Sequence, residues 1–395
     1  MKRVYITTVI TALLALAVFA AVYTVWDNAP DVGVLKVGFI YDNDESTPYT
    51  YNFALAQKAL EREFPDRVQT YARSNVPDME TLEPVEELLR AGCGIIFTNN
   101  YSDQIIEAAR QYPNVLFCQS AYYAGSHDDY PENYHTFNGE IYQARYVSGI
   151  AAGLKLRDMI DSHVIGADEA LVGYVGAFRS VEVISGYTAF LLGVRSVAPE
   201  ATMRVRYTGA WSSYSREKAC AKALIEEGCV VIAQHTDTIG PAVACEEARP
   251  ERSVIHIGYN KDMSDIAPGT SLVSVRVNWT PYVVGAVEAV LNREPIEKAV
   301  EGSVHGNDIS AGFDQGWVQV LDLNRKIAAY DTEEKLDRAI EALRKGSLEV
   351  FKGDYTGTNP DDPSDTIDLR GGYRENEKGS WPTFRYVLDG VIVEE

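Results

Sequence analysis

The residues best equipped for molecular recognition fall into short stretches that mix aromatic rings with amides, hydroxyls and carboxylates. The first is Tyr41-Asp-Asn-Asp-Glu-Ser-Thr-Pro-Tyr49-Thr-Tyr51-Asn52, which offers Asp42, Asn43, Tyr49, Tyr51 and Asn52. Asn99 and Tyr101 follow, then Tyr122, Phe178, Trp211, the pair His235 and Asp237, the pair Asn260 and Asp262, and Asn278 beside Trp279. Rings of this kind stack on the faces of a flat ligand, worth about 1–3 kcal/mol per base in nucleic-acid complexes. Amides and carboxylates then satisfy its polar edge. An Asn or Asp matches one edge of a purine by paired hydrogen bonds. Asp237 or Asp262 is suited to accept from an exocyclic amine or from ribose hydroxyls.

Other chemistries find less support. No GxxxxGK[ST] and no GxGxxG after a strand occurs, which disfavours a phosphorylated ligand. Nucleoside hydrolysis needs a clustered acid–base or metal constellation, and Asp42-Asn-Asp44-Glu45 is the single candidate; the chain reads as a binding protein and not an enzyme. There is no CxxC and His is scarce, so no metal or cofactor is expected. Each residue also has a plain structural reading. Asp42 and Asn43 are good helix caps or Asx-turn formers. His235, Trp211 and Trp279 suit packing, and any of the 24 tyrosines suits a surface.

The elements that must position these stretches alternate regularly. Apolar strands are expected at 35–41, 68–72, 94–97 and 115–118, with helices at 52–64, 79–91, 103–111 and 142–155 between and after them. The rhythm restarts with strands at 170–175, 202–208, 230–233 and 253–257 and helices at 181–197, 215–227 and 240–247. This predicts an α/β protein of two doubly wound, Rossmann-like halves joined near Phe137 to Tyr142. Parallel sheets bind ligands at the carboxyl ends of their strands, and every stretch named above sits at such an end. A further strand at 270–277 and helix at 281–291 are expected to return to the first lobe. The predicted division is 31–138 with 260–295 as lobe 1, 139–259 with 296–352 as lobe 2, and 353–395 as a loop-rich extension.

The chain's 36 Lys+Arg against 57 Asp+Glu give a formal charge of −21, which repels nucleic acid and anionic lipid. Lys2 and Arg3 precede an uncharged, mostly apolar run from Val4 to Trp26. That run is long enough to span a bilayer, and the basic pair orients the rest outward. An uncleaved signal-anchor and a cleaved signal peptide both fit residues 1–30, since Ala15-Leu-Ala17 and its neighbours offer cleavage sites. The expected location is extracytoplasmic: tethered to the outer face of the cell membrane, or secreted or periplasmic after cleavage. The five cysteines lie in apolar or helical surroundings and read as small core hydrophobes.

Taken together, Val37-Gly-Phe-Ile-Tyr41, Tyr49-Thr-Tyr-Asn52, the segment Phe137 to Gly153, Val172 to Phe178, Ile232-Ala-Gln-His-Thr-Asp237, and Gly258-Tyr-Asn-Lys-Asp-Met263 through Asn278-Trp279 resemble a known family. It is the basic membrane protein family of ABC-transporter substrate-binding proteins, the PnrA-like purine-nucleoside receptors, and the resemblance covers about Val34 to Lys352. It implies a type I periplasmic-binding fold, a hinge of three crossings, a monomer, and delivery of a purine nucleoside or nucleobase to a permease. By motif position Tyr49 replaces a stacking aromatic, often Trp, and Asn52 the polar residue after it. Asn260 stands where many relatives carry a ribose-binding Asp, which tilts the expectation towards a base. The family's Lys after the return strand has no clean counterpart, Arg276 being nearby. No cysteine precedes position 93, so the usual lipid anchor is missing and the apolar run replaces it as tether. A ligand-sensing receptor domain signalling through a membrane partner is the competing reading, and riboflavin a competing flat ligand.

Overall fold

The computed structural model describes residues 33–120 and 130–394. The expected membrane segment and Tyr122 lie outside the described residues, and among those described no helix is long and apolar enough to cross a membrane.

In chain order the strands are β1 Leu35–Ile40, β2 Val68–Arg73, β3 Ile95–Thr98, β4 Leu116–Ser120, β5 Tyr134–Gly139, β6 Leu171–Gly176, β7 Thr202–Tyr207, β8 Val231–His235, β9 Ile255–Tyr259, β10 Ser271–Val277, β11 Ser303–His305, β12 Asp308–Ala311, β13 Val318–Val320, β14 Thr356–Asn359, β15 Asp362–Asp368, β16 Val387–Leu388 and β17 Val391–Glu394. Two seven-stranded sheets result. One runs β2-β1-β3-β4-β5-β12-β11 and the other β17-β7-β6-β8-β9-β10-β13. Five strands of each, β2-β1-β3-β4-β5 and β7-β6-β8-β9-β10, share one order and are all parallel, so the two halves repeat one doubly wound design.

The chain passes between the sheets three times: from β5 into helix Ile141–Asp161, from β10 into helix Thr280–Asn292, and from β12 to β13. These crossings lie side by side. Asn278 N–H donates to the Trp317 carbonyl (2.7 Å) and Glu140 N–H to the Ala311 carbonyl (2.9 Å). A Cβ at Gly139 would sit 2.6 Å from Val277 Cγ1, so the approach requires glycine there.

This pairing corrects the expected division in two places. The return strand β10 joins the second sheet, beside β9, and β11 and β12 complete the first. Strand β5 also exists where only a joint was expected. The physical reason is that Val275 and Val277 are as buried as any strand of a two-faced sheet, and apolarity alone does not say which sheet edge accepts them. The extension is also more ordered than its composition implies. β14, β15 and β16 form a small antiparallel sheet, and β17 adds a parallel strand to the edge of the second sheet, Val391 opposite Met203.

Local signals explain the helices that frame the cleft. Pro48 opens helix Pro48–Glu63 at a position where its missing N–H costs nothing. Ser180 caps helix Val181–Arg195 by accepting from Val183 N–H. That helix packs backbone to backbone on Ile141–Asp161, since a Cβ at Gly149 would lie 2.1 Å from the Phe190 carbonyl oxygen. Gly149 and Gly193 therefore bring the second lobe's two longest core helices together.

Candidate ligand cleft

In an order of the type 2-1-3, neighbouring strands β1 and β3 send their connections to opposite faces of the sheet, and a crevice opens at their carboxyl ends. Asp42 follows β1 and Asn99 follows β3. The order brings them together: Asn99 Oδ1 accepts from Asp42 N–H (2.9 Å), and Asn99 Nδ2 donates to Asp42 Oδ1 (2.9 Å). Thr50 Oγ1 also donates to Asp42 Oδ1 (2.8 Å). The second lobe has the same strand order, with β6 and β8 at its switch point, but the bond there joins the loops after β8 and β7. Asp237 follows β8, and its N–H donates to the Trp211 carbonyl (2.9 Å). The buried Glu217 ties this corner, accepting from Ser213 N–H and from Thr238 Oγ1.

Between the lobes lies a cavity of about 440 Å³, within the ~300–1,000 Å³ range of small-molecule sites. Asp42, Asn43, Tyr49 and Tyr101 line it from the first lobe and Trp211 and Asp237 from the second, all of them candidates named from the sequence. Val76, Pro77, Asp78, Glu182, Ala210, Ser212 and Tyr259 line it too. Of these, Tyr259 ends a strand beside Asn260 and carries the same signal. Glu182 opens a helix and Asp78 lies after β2, where the sequence shows ordinary solvated acids.

The remaining candidates hold the walls rather than form them. Trp279 is 1% exposed and stacks on Phe53 with ring centroids 4.6 Å apart. Its edge meets Tyr49, so it backs the Tyr49 wall from the core. This corrects the expectation of a stacking platform: a ring that begins a helix two residues after β10 is drawn under the sheet by burial of its large apolar area. His235 is fully buried behind Trp211 and Tyr259, with its Nδ1 3.2 Å from the Tyr174 hydroxyl. Phe178 packs edge-on to Trp211 and is 41% exposed.

Asn52 Nδ2 donates to the Asn260 carbonyl across the lobes (2.8 Å), and Asn52 Oδ1 accepts from Arg276 Nη1 (3.3 Å). Asn260 in turn donates to Asp237 Oδ1 (3.3 Å) and adopts φ 61°, a left-handed conformation that Asn tolerates. Asn278 serves a crossing, donating to the Gly316 carbonyl. Asp262 accepts from Ser264 in its own turn, and Tyr51 faces Lys261. Tyr51, Asn52, Asn260, Asp262 and Asn278 do not line the cavity.

Among the described residues four carboxylates line this space: Asp42, Asp78, Glu182 and Asp237. Burial raises the Asp237 carboxyl well above its usual range, and the charges of Asp42 and Glu217 raise it further. Burial also raises Asp42, against the hydrogen bonds from Thr50, Asn43 and Asn99. The His235 ring is pushed down to about 4 by burial and the Arg145 charge, so it is neutral at pH 7. No Lys or Arg is among the described residues that line the cavity, and buried acceptors stabilise a ligand that brings N–H and O–H donors and repel an anion. The rings of Tyr49, Tyr101, Trp211 and Tyr259 add aromatic walls from both lobes.

Residues 29–347 match the family model described as ABC transporter substrate-binding protein PnrA-like. The chain is 29% identical over 324 residues to a purine-binding protein of Brucella abortus, covering 81% of this chain and 83% of that one. It is 28% identical over 300 residues to a Haloferax volcanii protein provisionally named as an ABC transporter glucose-binding protein, covering 75% and 69%. The fold resembles the crystal structure of an ABC-transporter solute-binding protein from Aeropyrum pernix, with a TM-score of 0.63 at 14% identity, over 84% of this chain and 95% of that one.

Proposed function

The chain belongs to the PnrA-like family of ABC-transporter substrate-binding proteins, and from that premise we propose that its cleft captures a purine nucleoside or nucleobase for delivery to the permease. Membership makes it an extracytoplasmic solute-binding protein and not an enzyme. The observation that carries the purine reading is the joint presence, at both switch points, of aromatic walls and inward carboxylates. A purine offers two flat faces and an edge of amine and ring N–H donors, and a nucleoside adds ribose hydroxyls. The carboxylates accept from these donors and repel a nucleotide's phosphate.

Capture proceeds by closure about the three crossings. The crossings are hydrogen-bonded to one another, so they guide rotation of one lobe against the other. Residues 1–30 act as the tether in this reading, and the protein works as a monomer.

The test is mass spectrometry of ligand released from purified, unfolded protein, followed by calorimetry. Adenine, guanine, adenosine, inosine and guanosine are compared with AMP, glucose and riboflavin. Binding of at least one base or nucleoside, with AMP rejected, is expected. Binding of glucose or riboflavin with no purine bound would overturn the reading.

A further inference from the structure

The family match ends at residue 347, yet the chain beyond it returns to the cleft. Its anchors are on the second lobe. β17 pairs with β7, Arg195 donates to the Asp389 carbonyl (3.3 Å), and Thr188 donates to the Tyr386 carbonyl (3.5 Å). Glu375 is the knot. Its Oε1 accepts from Ser185 Oγ on helix Val181–Arg195 (2.7 Å), and its Oε2 accepts from Thr383 N–H (3.0 Å) and Phe384 N–H (2.9 Å). The seven residues between these points are thereby pinched into a finger. Asn376 closes its base by donating to the Ser380 carbonyl (2.6 Å).

The tip of this finger rests on the other lobe. Ser380 N–H donates to Asp308 Oδ2 on β12 (2.5 Å), and Asn138 on β5 donates to the Ser380 carbonyl (3.4 Å). Ser380 and Asp308 are both buried, so water competes poorly for this charge-assisted bond. Trp381 packs edge-on to Tyr101, with ring centroids 6.4 Å apart. Tyr101 lines the cavity and reaches Glu182 on the opposite wall.

We propose that the finger at 376–382 is an interlobe strap: rooted on the second lobe and bonded to the first, it holds the cleft towards its closed form and positions Tyr101 for the ligand. Opening the lobes must either break the Ser380–Asp308 bond and the Trp381–Tyr101 contact or drag the finger off Glu375. The strap therefore biases the open–closed equilibrium before any ligand arrives, and a bound ligand leaves more slowly. Trp381 is a positioning residue here, since it meets the cavity through Tyr101.

The experiment uses the full chain and two readouts. Small-angle scattering of ligand-free protein reports lobe opening, and stopped-flow dissociation of adenosine reports retention. Trp381→Ala and Asp308→Asn are expected to enlarge the ligand-free radius of gyration and to speed adenosine release on the order of tenfold. Trp381→Phe restores both, and urea midpoints separate these effects from misfolding. An unchanged radius in both folded variants overturns the strap. The purine assignment is distinguishable from it, because failure of the wild type to bind adenosine leaves the scattering comparison to decide the strap by itself.

Discussion

The Tyr101 hydroxyl, on the first lobe, donates to Glu182 Oε2 on the second across 3.4 Å, so a hydrogen bond joins the two walls of the cavity. A bond of this length is weak in isolation, but both partners line the cavity. Under the proposed closure it marks where the walls meet.

Tyr101→Phe keeps the ring and its contact with Trp381 and removes the bond. Ligand affinity is expected to fall about 3- to 10-fold, the equivalent of ~0.5–1.5 kcal/mol for one hydrogen bond. Calorimetry on the folded variant checks this. Unchanged affinity would mean that the ligand-bound form does not use the contact.

The two tryptophans should separate binding from stability. Trp211→Ala removes a wall and is expected to weaken binding by about 1–3 kcal/mol, with a urea midpoint close to wild type. Trp279→Ala empties a core position under Phe53 and is expected to cost about 3–5 kcal/mol of folding stability. Measuring both quantities for both variants decides the matter: a stable Trp279→Ala protein contradicts the core placement.

Asp237 is held at a cost to the empty protein. Its folded pKa lies well above the ordinary 3.8, through burial first and then the Asp42 charge. Below pH ~4 the carboxyl is protonated in both folded and unfolded chains and the penalty is absent. As pH rises, the unfolded chain ionises first, so this group's contribution to stability falls until the raised pKa is passed. Asp237→Asn should therefore raise the melting temperature of the ligand-free protein at pH 7 and weaken its decline with rising pH. It should also lower ligand affinity at least tenfold, the size of one lost charge-assisted bond. A variant that binds normally would remove Asp237 from the ligand's partners.

Thiol labelling tests the core. Cys93, Cys118, Cys229 and Cys245 are buried and Cys220 is half-buried. Burial pushes the Cys93 thiol up to about 11 and Cys229 to about 12, which leaves little thiolate at neutral pH. A disulfide-exchange reagent should label Cys220 alone in the native protein and all five after denaturation. Rapid native labelling of any of the other four contradicts the packing.

Much of the cleft was legible in the chain because parallel α/β sheets display the loops after their strands. Asp42, Asn43, Tyr49, Tyr101, Trp211 and Asp237 all follow β-strands and all line the cavity. Trp279 and Asn278 follow a strand equally well and His235 ends one, yet they serve the core, a crossing and the wall behind Trp211. Position in the repeat tells which end of the sheet a residue occupies, and it does not tell which way its side chain points.

Apolar periodicity therefore determined the two doubly wound halves, and the loop chemistry at their facing ends is what the proposal of a flat, donor-rich ligand rests on. Tertiary structure decided which sheet accepts β10, that Glu182, Asp78 and Tyr259 join the walls, and that a Gly- and Pro-rich tail bridges both lobes. The first kind of information is local, because a strand buried on both faces must be apolar wherever it pairs. The second depends on contacts such as Asn138–Ser380, between residues far apart in the chain, and no local pattern encodes them.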